Sequence, residues 1–193
     1  VLKFASNNKI PVTTRGAGFG YVGGAVPVQG GIVLSTARMN RILGFEPADR
    51  LVTCQAGVVT QALQTFATEA GLYYPVDFAS AGSSQIGGNV ATNAGGIKVI
   101  RYGMTREWIA GLRVVTGSGE LLDCNRGLMK NATGYDLRHL FTGSEGTLGF
   151  IVEADVRLTA PPEPQLVMVL GVRRFRDILS VLGHFQGRLT LSA

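Results

Sequence analysis

Apolar residues recur along the chain in short runs separated by glycine-rich stretches, and the spacing within each run predicts its element. Val1, Leu2, Phe4 and Ala5 have helical spacing and run into Asn7-Asn8-Lys9, as the last turns of a helix would. Residues 11–15, 32–35 and 51–55 read as short strands. Thr60 is placed to cap a helix whose apolar face is Leu63, Phe66, Ala67 and Ala70, with Gly71 as the stop. Residues 109–116 and 120–124 predict a hairpin across Gly117-Ser118-Gly119. Phe150, Val152, Ala154, Val156 and Leu158 alternate with Ile151, Glu153, Asp155 and Arg157, the period-two pattern of a half-buried strand. Pro161-Pro162-Glu163-Pro164 reads as a linker, followed by a strand over 165–172 and an amphipathic helix carrying Phe175, Ile178, Leu179, Leu182 and Phe185. One strand and one helix cannot bury a core, so this last segment reads as the start of another domain. Hairpins mixed with helices, without a βαβ rhythm, make the fold class α+β.

Composition sharpens this at one point. Glycine supplies 27 of 193 residues, about twice the usual share of about 7%. The glycines follow no collagen-like period, so they mark tight turns or close approaches of the backbone. A hydrophobic share of 46% and a charged share of 16% place the chain among globular proteins. The net charge of +5 is scattered over Lys3, Lys9, Arg38, Arg41, Arg50, Arg101, Arg113, Arg126 and Lys130, among others. No basic run is interleaved with aromatics, which argues against nucleic acid as a partner. The charge reads as a solvated surface or as a general pull on anionic ligands.

Cys54 and Cys124 both fall in apolar strand-like stretches. A disulfide between them is one reading; two free, buried thiols in a reducing compartment is the favoured one. No apolar run approaches the roughly 20 residues of a membrane span. The expected location is cytoplasmic, with mitochondrial or membrane-associated placement left open because Val1 is not a start methionine.

The candidate chemistry lies in three glycine-rich segments. In the first, Arg15-Gly16-Ala17-Gly18-Phe19-Gly20-Tyr21-Val22-Gly23, residues 18–23 satisfy the dinucleotide pattern G-x-G-x-x-G. That pattern requires a helix immediately afterwards, and Gly24, Pro27, Gly30 and Gly31 follow instead. A nicotinamide site of the Rossmann type is therefore strongly disfavoured. The remaining readings are a plain turn between strands or a nest of backbone N–H groups for phosphate oxygens, with Arg15 adding charge.

The second segment, residues 75–96, joins small residues to Asp77, Ser80, Asn89, Thr92 and Asn93, which can hydrogen-bond a polar heterocycle or a ribityl chain. Its Gly87-Gly88 and Gly95-Gly96 pairs leave room for close packing against an aromatic ring. The third, residues 143–149, leads into the alternating strand. A shared ligand explains three such segments economically.

The stretches TRGAGFGYVGGA, PVDFASAGSSQIGGNVATNAGG with Tyr102-Gly103 behind it, and NATGYDLRHLFTGSEGTLGFIVEADVRL resemble the vanillyl-alcohol-oxidase superfamily of FAD-linked oxidoreductases, with its PCMH-type FAD-binding domain. They are most similar to the D-2-hydroxy acid branch: the glycolate oxidase FAD subunit, D-lactate dehydrogenase and D-2-hydroxyglutarate dehydrogenase. The resemblance covers about residues 1–162. It implies two α+β subdomains, with residues 1–35 as the remainder of the first, 36–162 as the second, and 163–193 as the start of an α+β cap domain.

By position, the resemblance implies that Arg15 and the backbone of Gly16, Ala17, Gly18, Phe19, Gly20 and Tyr21 hold the FAD pyrophosphate. Pro75, Asp77, Ser80, Ala81 and Ser83 then line the diphosphate and ribityl region. Ile86, Gly87, Gly88, Asn89, Thr92 and Asn93 lie along the isoalloxazine, and Glu145, Gly146 and Ile151, the last through its backbone, lie near the adenosine. Phe19 stands where some members carry a histidine for covalent attachment, so FAD is expected to be held non-covalently.

No G-x-S-x-G elbow, H-E-x-x-H, Walker A segment or cysteine-histidine metal cluster is present. His139 is expected in a short helix over 135–140 and His184 on the polar side of the terminal helix, neither in a catalytic role. The resemblance implies that the catalytic base and the groups gripping a 2-hydroxy acid come from the cap domain, and that an external acceptor of unknown identity takes the electrons. A flavin-binding module without its own substrate, or a sugar or alcohol oxidase of the same superfamily, are the alternatives.

Overall fold

The computed structural model describes residues 1–125, 127–128 and 130–192. Arg126, counted above among the scattered basic residues, and Ala193, the end of the proposed cap segment, lie outside them.

Two sheets organise the chain. Helix α1 (Leu2–Asn7) leads into β1 (Val12–Arg15), which pairs in parallel with β2 (Ile32–Ser35), Val12 opposite Ile32. The larger sheet contains β3 (Ile42–Glu46), β4 (Leu51–Gln55), β5 (Ile109–Thr116), β6 (Leu121–Cys124) and β7 (Gly149–Arg157). Its spatial order is β3-β4-β7-β5-β6, antiparallel throughout, so the last strand in the chain is the central one. Helices α2 (Thr60–Glu69), α3 (Ile86–Thr92), α4 (Val99–Tyr102), α5 (Thr105–Trp108) and α6 (Leu137–Phe141) fill the connections, and α7 (Asp177–Gln186) follows the sheet. This is the expected α+β arrangement.

The period-two pattern decides which face of the sheet is dry. Val52, Cys54, Leu112, Val114, Ala154 and Val156 are buried in one core with Leu63 and Ala67 of α2 and Ile86 and Val90 of α3. The opposite face carries polar residues in register: Arg113 pairs with Asp123 at 3.1 Å and Glu153 at 3.0 Å, and Thr53 donates to Asp155 at 2.7 Å. Both cysteines are buried and free, as the sequence favours. Burial, reinforced by Asp155 and Glu153, pushes the Cys54 thiol up to about 12.

The structure corrects the sequence reading in several places. Strand β3 went unread because a bulge between Ile42 and Gly44 leaves Ile42 and Phe45 as its half-buried residues, three apart, and so hides the alternation. A second irregularity, between Arg113 and Val114, makes Val114 face Ile151 and leaves Val152 as the extra residue. Ile151 is therefore buried in the core, not on the outward face that strict alternation assigned to it.

Thr60 is the first residue of α2 and not its cap; Val59 takes that place and Thr60 is buried. Residues 165–172 form no strand. Leu166, Val167 and Val169 are more than nine-tenths exposed, and among the described residues no neighbouring strand supplies the hydrogen bonds a strand needs. The terminal helix exists as α7, starting after Phe175. His139 lies in α6 and His184 is exposed on α7, as expected.

Candidate functional site

Helix α3 is the piece around which the three glycine segments gather. Its sequence, IGGNVAT, has poor intrinsic helix propensity. Tertiary packing forms it instead: Gly87 donates its N–H to Ala56 O at 2.7 Å. A Cβ on Gly87 would stand 2.6 Å from that of Ala56, so only glycine lets the helix come this close to the end of β4. Asn93 ends the helix in the left-handed conformation (φ 48°).

The first segment meets the start of this helix. A Cβ on Gly16 would lie 3.5 Å from Gln85 Oε1 and 3.6 Å from Gly88 Cα. Thr36, at the end of β2, is buried and donates to Gln85 Oε1 at 2.6 Å, fixing the junction. The third segment meets the other end: Gly143 N–H donates to Val90 O at 3.0 Å and Glu145 N–H to Ala91 O at 2.8 Å. First and third segments also touch each other, Gly24 beside the Glu145 carboxylate and Gly146 against the Thr14 side chain. Gly146 sits at φ +81°, a conformation that favours glycine. A cavity of about 330 Å³, lined by Ala5, Ile10, Val12, Thr14, Gly146 and Phe150 among others, opens at this junction.

The first segment fits an anionic ligand. Among the described residues, none of the N–H groups from Gly16 to Ala25 donates a hydrogen bond to the protein. The Arg15 guanidinium lies along the same loop, 3.4 Å from where a Cβ of Gly18 would be. Phosphate oxygens require such a set: free backbone donors with a cation beside them. Phe19 and Tyr21 are exposed here. Gly88, half-buried on α3, has open space where its Cβ would be, so a flat group can lie there without a clash.

Other sequence candidates sort differently. Ile86 and Ile151 belong to the core. Asn89 is buried, and its amide donates to Thr60 Oγ1 at 2.7 Å, which in turn meets Ser84 Oγ at 2.8 Å. Its side-chain amide thus helps to hold α3 on α2. Gly87 and Gly96 each allow a close approach of backbone, to Ala56 and to the Asp77 carbonyl. Pro75, at the start of the second segment, is buried; Ser80, Ala81 and Ser83 form its turn, with Ser83 exposed. Thr92 is exposed and donates to Gly88 O at 3.0 Å.

Two functional neighbours gave no sequence signal. Lys98 donates to the Asp77 carboxylate at 2.9 Å and to Tyr73 OH at 2.7 Å. Burial alone would lower its pKa, but the bonds to Tyr73 and Asp77 outweigh that and raise it. Arg106, from α5, reaches the carbonyl of Thr142 at 2.8 Å. Pairings 21 and 36 residues apart have no local signature.

Comparison with known proteins agrees with this geometry. Residues 1–125 match the family described as FAD binding domain. Over all 193 residues the chain is 56% identical to D-2-hydroxyglutarate dehydrogenase of Stutzerimonas stutzeri, covering 42% of that protein. It is 38% identical over 185 residues to D-lactate dehydrogenase of Anaerostipes hadrus, covering 96% of this chain and 39% of that one. Among solved structures, alkyldihydroxyacetonephosphate synthase superposes with a TM-score of 0.72 at 27% identity, over 84% of this chain and 32% of its own. The chain thus spans about two fifths of the length of these curated relatives. Among the described residues no helix is long and apolar enough to cross a membrane. With a cradle of free backbone donors gathered on a glycine-faced helix, and with a family match over most of its length, the chain belongs to the FAD binding domain family.

Proposed function

We propose that the protein carrying this chain oxidises a 2-hydroxy acid, and that this chain seats the FAD non-covalently. The observation that carries the seating is the run of free N–H groups from Gly16 to Ala25, brought against α3 and the third segment. Arg15 and residues 16–21 hold the pyrophosphate; Asp77, Ser80, Ala81 and Ser83 line the diphosphate and ribityl region. Gly88, Thr92 and Asn93 flank the isoalloxazine, with Gly87 and Asn89 behind them as support. Glu145 and Gly146 border the adenosine. Bound FAD supplies the hydride acceptor. The base and the carboxylate-gripping groups belong to a cap domain, of which residues 163–193 are the first part, and an external acceptor takes the electrons.

The 2-hydroxy acid reading rests on the names of relatives that act on 2-hydroxyglutarate and lactate. Anaerobic mixing of the intact flavoprotein with D-2-hydroxyglutarate, D-lactate and glycolate tests it. Bleaching of the flavin by at least one supports it, and bleaching by none removes it. Denaturation should release all flavin from the polypeptide; flavin retained on a peptide would refute non-covalent binding.

A further inference from the structure

We propose that Arg106 is a positioning residue that latches the third glycine segment onto α3, and that the latch is tighter while the His139 ring is neutral, so that FAD retention weakens on acidification. The proposal rests on the cradle reading above.

Arg106 stands where the relevant elements meet. Its backbone N–H donates to Asn93 Oδ1 at 3.0 Å, the residue that ends α3. Its guanidinium crosses to α6: Nη2 donates to Thr142 O at 2.8 Å, and Nη1 donates to His139 O at 3.1 Å. Gly143 follows directly, with the site of its missing Cβ 3.5 Å from Nη2 and 3.6 Å from Asn93 Cβ. One residue, through its backbone N–H on one side and its guanidinium on the other, therefore ties the end of α3 to the start of the third segment.

The remaining contact makes this tie sensitive to protons. Arg106 Nη1 also meets His139 Nδ1 at 3.1 Å. A guanidinium only donates, so Nδ1 must accept and the ring proton must sit on Nε2. Nε2 faces Asp136 Oδ2 at 3.5 Å, consistent with that tautomer. Protonation places a second N–H on Nδ1, aimed at a donor that is itself a cation. The Asp136 carboxylate is itself taken by Arg138, at 2.8 Å through Nε and 2.5 Å through Nη2. That hydrogen bond, with the positive charge of Arg138, also holds the Asp136 carboxyl below its ordinary range. Arg138 is pinned in turn by the carbonyls of Ile109 and Ala110 of β5, at 3.0 Å each. The charged groups facing the imidazole are thus Arg106 from α5 and a neutralised Asp136 from its own turn. The ring is 42% exposed, so solvent protons reach it.

The test measures FAD affinity of the apoprotein by flavin fluorescence, from about pH 8 to about pH 5, the range in which histidine titrates. Three proteins are compared: wild type, His139→Asn, whose Oδ1 accepts like Nδ1 without titrating, and Arg106→Met. Wild type should weaken about tenfold on acidification, as expected for one lost hydrogen bond to a charged group. Over the same range His139→Asn should weaken about tenfold less than wild type, and Arg106→Met should bind weakly throughout. Amide hydrogen exchange of residues 143–147, corrected for intrinsic rates, should speed up at low pH in wild type and not in His139→Asn. A wild-type profile in His139→Asn, or a flat wild-type profile, overturns the latch. If wild type binds no FAD at any pH, the cradle reading falls, and the exchange profile alone decides the latch.

Discussion

Gly87 and Gly88 are neighbours in one helix, yet replacing each with alanine should do opposite things. At Gly87 the new Cβ would meet Ala56 Cβ at 2.6 Å and Ala56 O at 3.0 Å, both on backbone that cannot swing away. Such overpacking costs about 2–3 kcal/mol, against which alanine returns up to about 1 kcal/mol of helix propensity. The net loss of about 1–2 kcal/mol corresponds to a fall in Tm of roughly 2–8 °C for a chain of this size. At Gly88 the Cβ enters open space, so the same propensity gain leaves Tm level or raises it by up to about 4 °C. There the methyl occupies the room assigned to the flavin, and the Kd for FAD should rise about tenfold, the equivalent of about 1.4 kcal/mol. Thermal unfolding of both apoproteins, with flavin titration of both, separates the effects. Were Gly88→Ala to bind FAD like wild type, or to lose as much Tm as Gly87→Ala, the assignment of the two glycines would be wrong.

Two further outcomes follow from buried and paired groups. The Cys54 thiol, held up to about 12 by burial and by Asp155 and Glu153, stays protonated in the folded chain while its unfolded counterpart ionises above its ordinary 9.0. Its contribution to stability is therefore full below that value and is lost as pH rises through about 12. Denaturant midpoints measured on the alkaline side should fall less steeply for Cys54→Ala than for wild type, and equal slopes would contradict this. For Lys98 and Asp77, a double-mutant cycle with Lys98→Met and Asp77→Asn should show a coupling of about 0.5–1 kcal/mol, small because both side chains are about 30% exposed. Strict additivity would mean that their 2.9 Å contact contributes nothing.

What could be read from the sequence follows from the range of the forces involved. Regular alternation gave β4, β5 and most of β7, and the glycine stop gave the end of α2, because those signals are local. Where a bulge reset the phase, at Leu43 and at Val152, periodicity misled, hiding β3 and turning Ile151 outward. Helix α3 looked like loop because its glycines are poor helix formers; its packing on Ala56 cannot be seen without the fold. For the site, composition located the three segments but not the roles within them. Asn89 looked like a ligand group and turned out to bond Thr60, whereas Lys98 and Arg106 carried no mark at all.

The central place of β7 has a consequence for how this chain comes into being. Thr53 must wait 102 residues for its partner Asp155, and β4 and β5 pair with β7 and not with each other. Topology of this kind gives high contact order and slow, late closure. During synthesis the first part of the sheet leaves the ribosome as two hairpins with open edges, exposed to wrong pairing until residue 157 is made. A fragment ending at residue 125 would contain the whole family match and the first two glycine segments, yet no strand to join the hairpins. The third segment runs directly into β7, so the last side of the cofactor's seat arrives with the strand that closes the sheet. Maturation of the fold and competence to take up FAD are then a single late event.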